Sequence, residues 1–499
     1  MAVLDAVSAD IIAELAAVVA LAIFARKWTW ADLAKAKKDF IARGADIIDE
    51  GYYKYKDDKF WVQTADMPRL VLSRKFIPEI NNNKMVPDGT LSLTGALKDR
   101  LLTKYTDLTH IFESPLHNDV CKIQLTQHLH KLIPGMHEET EYWISQKIGD
   151  GCETNAYDVM VTCVVGIISR VYAGTGASRD PEWLKTARDY SISLFAACIA
   201  LRPYPAFIRG WVAPYMETQK KLKEHLDTAK RQFSPIFAER LRLADAGLIK
   251  EEDKPNDMVQ WMVDAAKGDD RDPDRLSHNL LFLTVAAIHT SAAGAVHALF
   301  DLCGNPEYIE PLREEIRETF EERGITMAAW NQMKRLDSVM KESQRINHPG
   351  VLSFNRKVEK PLHLSDGTTI PAGTMVTIPS SSIARDPDIY PNPEKFLGFR
   401  FYELRMAKKE NAMRYQYTST GPDSMQFGHG KLACPGRHVV GAVIKDILAE
   451  ILLKYDVSWP AGTTQRPKNV FSGEHIGPDR SQKIVFTKRV ADKTESKTQ

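Results

Sequence analysis

Residues 427–437 read FGHGKLACPGR, and this stretch decides how the rest of the chain is interpreted. Gly428, Gly430 and Gly436 surround a single cysteine, Cys434, in a region that is otherwise poor in cysteine. One interpretation is a glycine-rich turn that carries an inert thiol. The other is a loop folded tightly enough to direct one sulfur atom at a large partner.

Length and composition indicate a folded enzyme. The chain has 499 residues, of which 43% are hydrophobic and 26% charged, and no Pro/Gly/Ser linker or low-complexity run divides it. One large domain with a small appendage is therefore expected. The 66 basic and 65 acidic residues nearly cancel, so the composition provides no polycationic face, and nucleic-acid binding is not expected.

The cysteines do not form a framework. The chain has six, Cys121, Cys152, Cys163, Cys198, Cys303 and Cys434, which are widely scattered and form no CxxC pair. Neither a set of disulfides nor a structural zinc site is indicated. A reducing compartment fits this pattern best.

The N-terminus carries a possible membrane anchor. Residues 15–25, LAAVVALAIFA, are all apolar, and a basic flank beginning at Arg26 and Lys27 follows them. By the positive-inside rule this flank is cytoplasmic, so residues 1–27 are predicted to anchor the catalytic domain, residues 28–499. The alternative is an interfacial or packed amphipathic helix. A cleaved secretory signal is disfavoured because no basic segment precedes the run.

Hydrophobic periodicity predicts a mainly α protein with a smaller β part. Helical spacing dominates from about residue 28 to 350, and short β-like stretches follow, with Asp366-Gly367 as a hairpin turn. One helix is long: Asp272 can cap it, Pro273 suits its first position, and Gly304 with Pro306 ends it, giving about 30 residues or ~45 Å. Such an apolar helix is expected to cross the middle of the domain; the alternative is a membrane span.

The chemistry of the cysteine loop favours a metal-bound thiolate. The spacing of Phe427, Gly430, Cys434 and Gly436 suits a thiolate ligand to haem iron, because glycines let the backbone approach a flat macrocycle and leave peptide N–H groups for the sulfur. A helix beginning just after Gly436 would turn its positive end toward the sulfur and favour the thiolate.

On these residues the chain resembles a cytochrome P-450 over roughly residues 45–488. KESQR places Glu342 and Arg345 on one helix face, and the resemblance implies that Arg400 in FLGFRF joins the pair. In AAIHTS, at the middle of the long helix, Thr290 takes the position of the family threonine that assists oxygen activation. The alternative for Thr290 is a hydroxyl bonded back to its own helix. The fold implied is that of the family, with a long helix over haem.

Finer details resemble fungal microsomal members that oxidise terpenoid and alkaloid skeletons. Two positions depart from the commoner pattern. His289 replaces an acidic residue, and Leu432 replaces the basic residue that holds a haem propionate. The remaining candidates for propionate binding are Arg356, Lys122 and His117, and each is otherwise a surface charge.

The resemblance implies the reaction and its partners. Haem b would activate dioxygen with electrons from a separate NADPH-cytochrome P-450 reductase, with cytochrome b5 as an additional candidate, on the cytoplasmic face of the endoplasmic reticulum. Lys431, Arg437, His438 and Lys445 are expected to make the docking face basic. The alternatives are a haem-thiolate isomerase or peroxygenase without a reductase, and a haem sensor or electron carrier.

The substrate is expected to be a hydrophobic polycycle. The predicted pocket is lined by the long helix, by GVLSF and by a segment near the C-terminus, through Leu283, Ala286, Ala287, Val351, Leu352, Phe354, His475 and Ile476. Thr290 is expected to border the oxygen site, and His289 to face a water-filled channel and relay protons. The alternative for His289 is a core histidine bonded to a backbone carbonyl.

Overall fold

The computed structural model describes residues 30–82 and 86–490, so the predicted anchor at residues 1–27 lies outside the described residues. Helices form most of this part of the chain. Those of six residues or more are Trp30–Lys54, Leu93–Leu101, Thr126–Ile148, Ala156–Ser178, Pro181–Leu201, Ala206–Val212, Glu217–Asp245, Met258–Ala265, Pro273–Gly304, Ile309–Arg323, Met327–Gln332, Lys334–Ile346, Arg400–Ala407 and Arg437–Lys454. The shorter ones are Ile77–Ile80, Leu116–Val120 and Ser380–Ala384, and a π-helical turn spans Cys121–Leu125.

The β structure is smaller and lies at the edge of the helical body. Its strands are β1 Lys59–Gln63, β2 Pro68–Leu72, β3 Leu91–Ser92, β4 Gly151–Asn155, β5 Ser353–Val358, β6 Leu362–His363, β7 Thr369–Ile370, β8 Met375–Ile378, β9 Tyr455–Ser458, β10 Val470–Ser472, β11 His475–Gly477 and β12 Lys483–Lys488. A five-stranded sheet has the order β1-β2-β8-β5-β3, and a three-stranded sheet the order β4-β12-β9. Strands β6 and β7 form one hairpin, and β10 and β11 form another.

Turn and cap residues account for several boundaries. Asp180 caps helix Pro181–Leu201 by accepting a hydrogen bond from the backbone N–H of Trp183. Gly367 has φ +84° in the β6–β7 hairpin, a left-handed conformation that glycine adopts without a steric cost. The predicted Asp366-Gly367 turn is thereby confirmed.

The long helix, hereafter the central helix, runs from Pro273 to Gly304 and has 32 residues. The Asp272 side chain accepts hydrogen bonds from the backbone N–H groups of Asp274 and Arg275, as the sequence predicts. Most of its side chains are buried in the largest hydrophobic cluster of the described chain. Its apolar character therefore reflects the burial of most of its side chains inside the domain.

Two described helices, Ala156–Ser178 and the central helix, are long and apolar enough to cross a membrane. They pack against each other, and at least half of each apolar window is buried inside the protein. The alternative of a membrane span for the central helix therefore gains no support from its surroundings, because these neighbours satisfy its apolar surface.

Candidate functional site: the cysteine loop and the central helix

The cysteine loop is held by backbone geometry that requires glycine. Gly428 and Gly430 have φ of +69° and +75°, and these left-handed turns reverse the chain so that the backbone N–H of Cys434 donates to the carbonyl oxygen of Phe427 at 2.7 Å. Gly436 has an ordinary φ of −83° and ends the loop as the N-cap of helix Arg437–Lys454. A Cβ added at Gly436 would meet no atom within 4 Å, so the backbone there borders open space.

The sulfur of Cys434 has surroundings unlike those of the buried cysteines. Burial raises its pKa, but the backbone N–H groups of Gly436 and Arg437 hydrogen-bond to it and oppose that rise, together with the Arg437 charge. Burial, to which the nearby Asp301 carboxylate adds, raises the pKa of Cys303 to about 12. Two peptide donors at a helix N-terminus are the arrangement that holds a thiolate, and a thiol that coordinates a metal ion is deprotonated outright.

The Pro-rich segment before the cysteine loop is tied to a helix by a buried ion triad, Glu342, Arg345 and Arg400. The Arg345 guanidinium donates two hydrogen bonds of 2.8 Å to the Glu342 carboxylate, one from Nε and one from Nη2. Arg400 Nε lies 3.0 and 3.1 Å from the same two oxygens. The side chains of Glu342 and Arg345 are 0% and 1% exposed. The structure therefore brings these three predicted residues together.

The central helix presents one open stripe. Ala286 and Thr290 are exposed, whereas Leu283 and Ile288 are buried and Ala287 is half-buried. Positions four apart share one helix face, so Ala286 and Thr290 mark a single side of the helix that neighbouring side chains leave uncovered. The Thr290 hydroxyl donates to the Ala286 carbonyl oxygen at 2.6 Å, which is the back-bonded arrangement expected of a threonine in a helix.

His289 faces two other helices. Its Nε2 lies 2.7 Å from the carbonyl oxygen of Arg188, and its Nδ1 lies 2.9 Å from the hydroxyl of Tyr157. Because a carbonyl oxygen can only accept, Nε2 carries the proton and Nδ1 accepts from Tyr157. Burial lowers the pKa of His289, and its bond to the Arg188 carbonyl opposes this.

This arrangement is a correction to the expected proton relay at His289. The ring's single N–H group ends on a carbonyl oxygen, which cannot pass a proton onward, and neither nitrogen is free to face an open channel. The structure agrees instead with the alternative interpretation, a core histidine bonded to a backbone carbonyl. Tyr157 lies 132 residues away in sequence, so no local pattern could have identified it.

Two of the three propionate candidates have buried polar atoms without an acidic partner among the described residues. Arg356 is 4% exposed, donates to the Asn355 carbonyl oxygen at 2.8 Å, and contacts no carboxylate of the described residues. Burial lowers its pKa to about 10. His117 packs against the ring of Phe282 on the central helix, and its buried Nδ1 has no hydrogen-bond partner in the described chain. Lys122 is exposed.

These features fit a flat, iron-containing dianion. A sulfur with two N–H donors can hold the iron, open space borders Gly436, and Arg356 and His117 are buried groups that lack an anionic partner among the described residues. One further neighbour was not predicted: a Cβ at Gly430 would lie 2.7 Å from Asn81 Oδ1, and the buried Nδ2 of Asn81 has no hydrogen-bond partner in the described chain. Leu432, which replaces the family's basic residue, is exposed.

The predicted pocket residues fall into two groups. The segment with Val351 and Leu352 pairs with the C-terminal hairpin, because the backbone N–H of Val351 donates to Glu474 and Gly350 bridges to His475. However, Val351, Leu352, Phe354 and Ile476 are buried in small apolar clusters next to the five-stranded sheet. His475 and Ala286 are exposed, and Leu283 and Ala287 belong to or pack on the main core.

The basic face predicted beside the cysteine needs one correction. Lys431 is exposed, and Arg437 and His438 are half-buried. Lys445 is instead buried, and its ammonium lies 2.7 Å from a carboxylate oxygen of Asp337. A buried, paired lysine cannot contribute to a docking surface.

Comparison with known proteins agrees with this geometry. Residues 117–482 match the family model described as cytochrome P450. A cytochrome P450 monooxygenase of Emericella nidulans is 37% identical over 89% of this chain and 83% of its own length. The monooxygenase paxP of Penicillium paxilli is 34% identical over 90% of this chain and 87% of its own length, and an ent-kaurene oxidase of Gibberella intermedia is 33% identical over 90% and 84%. The chain belongs to the cytochrome P450 family, and its enzymatic class is that of a haem-iron monooxygenase.

Proposed function

We propose that the chain is a haem b monooxygenase that oxidises a hydrophobic secondary metabolite of terpenoid or alkaloid type with electrons from a separate NADPH-cytochrome P-450 reductase. The observation that carries this proposal is Cys434, whose sulfur has two peptide N–H donors at the start of a helix that packs on the central helix. Bound haem supplies dioxygen activation and oxygen insertion, and a thiolate ligand favours O–O cleavage.

The protein's own groups have distinct tasks in this proposal. The Cys434 sulfur coordinates the metal, and the N–H groups of Gly436 and Arg437 hold it in place by hydrogen bonds. Arg356 and His117 are the candidates to bind the carboxylates of the cofactor, because burial without an acidic partner makes each a ready donor. Glu342, Arg345 and Arg400 hold the segment around Arg400 to helix Lys334–Ile346 and touch no substrate.

Thr290 is the candidate for oxygen-site chemistry on the open stripe of the central helix. Its hydroxyl proton is donated to the Ala286 carbonyl, so its oxygen can accept a hydrogen bond from a proton donor on the open side. The small side chain of Ala286 on the same stripe leaves room for a bulky apolar molecule. The relatives named above as a paxP monooxygenase and an ent-kaurene oxidase support a substrate from secondary metabolism.

The test of the function is a reconstituted turnover assay with ¹⁸O₂, NADPH and a fungal NADPH-cytochrome P-450 reductase, supplied with a panel of terpenoid and alkaloid substrates. The proposal predicts substrate-dependent NADPH consumption and products that contain one ¹⁸O atom. Cytochrome b5 is added in a second arm, where it is expected to raise the rate without replacing the reductase. Conversion without the reductase, or with peroxide alone, would contradict the proposal in favour of an isomerase or peroxygenase.

We also propose that residues 1–27 anchor the enzyme to the endoplasmic reticulum membrane with the catalytic domain in the cytoplasm. The support is the apolar run at residues 15–25 and the basic flank that follows it. Deleting residues 1–27 should release the protein into the soluble fraction of a fungal expression host with its haem spectrum intact. Retention of the truncated protein in the membrane fraction would contradict this role.

A further inference from the structure

Five charged side chains from four distant segments meet beside the C-terminal hairpin and are hereafter called the arginine cluster: Asp66, Arg69, Arg100, Arg202 and Glu474. Asp66 lies in the turn between β1 and β2, and Arg69 lies in β2. Arg100 is in the last turn of helix Leu93–Leu101, Arg202 directly follows helix Pro181–Leu201, and Glu474 lies in the turn between β10 and β11.

The lower layer of the cluster is an ion-pair network around one buried guanidinium. Arg69 is 3% exposed, and it lies 3.0 Å from an Asp66 oxygen and 2.7 Å from a Glu474 oxygen. Burial raises the pKa of Asp66, but Arg69, Thr64 and Arg202 outweigh it and hold that pKa well below its ordinary value. Both carboxylates are therefore already engaged from below by a buried guanidinium.

The upper layer is formed by Arg100 and Arg202, which are 23% and 25% exposed, whereas Asp66 and Glu474 are 10% and 13% exposed. Arg202 donates to Asp66 and to the Arg100 carbonyl oxygen, and Arg100 pairs with Glu474. The described contacts of Arg100 and Arg202 use only their Nη atoms. The Nε–H group of each guanidinium therefore remains available to a ligand. Three guanidinium groups against two carboxylates leave a formal charge of +1, and the more exposed layer is the positive one.

His475 extends this layer. Its Nε2 lies 3.3 Å from Arg100 Nη2, and because a guanidinium only donates, Nε2 accepts and Nδ1 carries the proton. The neutral ring thus offers one further N–H donor next to the two arginines.

The cluster lies between the predicted substrate pocket and an apolar surface. On one side, the backbone N–H of Val351 donates to the Glu474 carbonyl oxygen at 2.8 Å, so the cluster adjoins the segment proposed to line the pocket. On the other side, the chain after Arg202 exposes aromatic rings, with Tyr204 and Phe207 at 37% and 80%. A ligand that reaches both regions must be apolar along its body and have a polar group where it passes the arginines.

We propose that the arginine cluster binds the carboxylate of an amphiphilic organic acid, with the apolar body of that acid in the substrate pocket. This inference rests on the proposed function, because it places the substrate's polar end relative to that pocket. A single negative charge matches the formal charge of +1, and a planar carboxylate matches the forked donors of Arg100 and Arg202. Their recessed position favours a small molecule over a flat anionic surface.

The test compares two ligands that differ only in charge: abietic acid, a tricyclic carboxylic acid, and its methyl ester. Binding to the haem-loaded protein is followed by the shift of the Soret band, which does not depend on turnover. The wild-type protein should bind the acid about tenfold or more tightly than the ester. Arg202→Gln and Arg100→Gln should each lose most of that preference, and the ester affinity should stay unchanged.

The control is Arg231→Gln in helix Glu217–Asp245, which removes an exposed arginine that pairs with Glu182 and contacts no member of the cluster in the described chain. It should keep the full preference for the acid. Equal affinity for acid and ester in the wild type, or an unchanged ratio in both cluster variants, overturns the proposal. The proposal is also overturned if the two cluster variants lose binding to anionic lipid vesicles but keep the preference for the acid. If the ester still shifts the band and the protein still turns over with the reductase, the proposed function survives that failure.

Discussion

The ion triad of Glu342, Arg345 and Arg400 and the arginine cluster beside the C-terminal hairpin are built from the same types of side chain. They differ in how completely their hydrogen-bond donors are used. The triad has two guanidinium groups for one carboxylate, and the cluster has three for two, so each has a formal charge of +1. In the triad the surplus donors end on backbone carbonyls of Ala384, Pro391 and Asn392. In the cluster the outer guanidinium groups remain partly exposed with donors to spare.

This difference distinguishes a group of side chains that stabilises the fold from one that can bind a ligand. A buried charge with every hydrogen bond satisfied holds its neighbours in one arrangement and is costly to break. A partly exposed charge contributes little to stability but can exchange water for a ligand. The triad is therefore expected to stabilise the fold around the cysteine loop, and the cluster is the group proposed to bind a ligand.

The largest expected effect comes from opening the triad. Arg345→Leu leaves the Glu342 carboxylate buried with only Arg400, and removing one partner of a buried ion pair costs about 3 to 5 kcal/mol. Urea unfolding should show this loss, and haem content should fall before product selectivity changes. Arg202→Gln, the matched substitution in the cluster, should change the free energy of unfolding by about 1 kcal/mol or less. A stable, fully haem-loaded Arg345→Leu protein would show that the triad contributes no more to stability than the cluster does.

Acidification should lower the free energy of unfolding through buried histidines near the triad and leave the arginine cluster intact. His297 and His348 are buried near helix Lys334–Ile346, which carries Glu342 and Arg345 of the triad. Burial lowers the pKa of each histidine to about 3. The unfolded chain, with an ordinary histidine pKa near 6.5, binds these protons first, so the stabilisation is complete above pH 6.5 and is lost as the pH falls toward 3. At pH 5 the loss is about 2 kcal/mol for each histidine.

Urea unfolding of the haem-loaded protein between pH 7 and 5 measures this slope. A His297→Gln variant should have a shallower slope, and His363→Gln, at an exposed strand position, should leave it unchanged. The arginine cluster should persist, because the pKa of Asp66 is lowered and its carboxylate remains ionised across this range. A flat pH dependence in the wild type would show that these histidines do not enter the folded core uncharged.

Thr290, on the central helix, is expected to contribute little to stability. Thr290→Ala removes one hydroxyl that donates to a carbonyl already within the helix, so stability should change by about 1 kcal/mol or less. Substrate binding should remain, while a larger fraction of the NADPH electrons ends in hydrogen peroxide, and Thr290→Ser should restore coupling. Wild-type coupling in Thr290→Ala would contradict its proposed role.

His289 provides the contrast on the same helix. Because its two hydrogen bonds join three helices, His289→Ala should lower stability by about 1 to 3 kcal/mol and leave the coupling ratio unchanged. Tyr157→Phe, which removes one of these bonds, should give a smaller loss of the same kind. Uncoupling in His289→Ala without a loss of stability would restore the relay role.

The sequence predicts features that depend on local patterns. The central helix, its Asp272 cap and the Asp366-Gly367 hairpin follow from neighbouring residues, and Glu342 with Arg345 follows from helical spacing. The position of Arg400 follows from the family resemblance. Each of these needs only local geometry or a motif of known order.

What the sequence does not predict depends on contacts between distant segments. The burial of Lys445 follows from its pairing with Asp337, more than 100 residues earlier, and His289 is fixed by Tyr157 and Arg188 on two other helices. The arginine cluster joins residues 66 to 474, none of which lies in a recognisable motif. Charge and polarity are visible in a sequence, but the partner that neutralises a group is set by tertiary packing.

The most direct test of the account is the spectrum of the reduced carbon monoxide complex of the wild-type protein and of Cys434→His. If the Cys434 sulfur holds the haem iron as proposed, the wild type should show the red-shifted band of a thiolate ligand, and Cys434→His should lose that band even where haem is retained. Cys303→Ala, at a buried cysteine in the last turn of the central helix, is the matched control and should keep the band. An unchanged band in Cys434→His would contradict the assignment on which the proposed function rests.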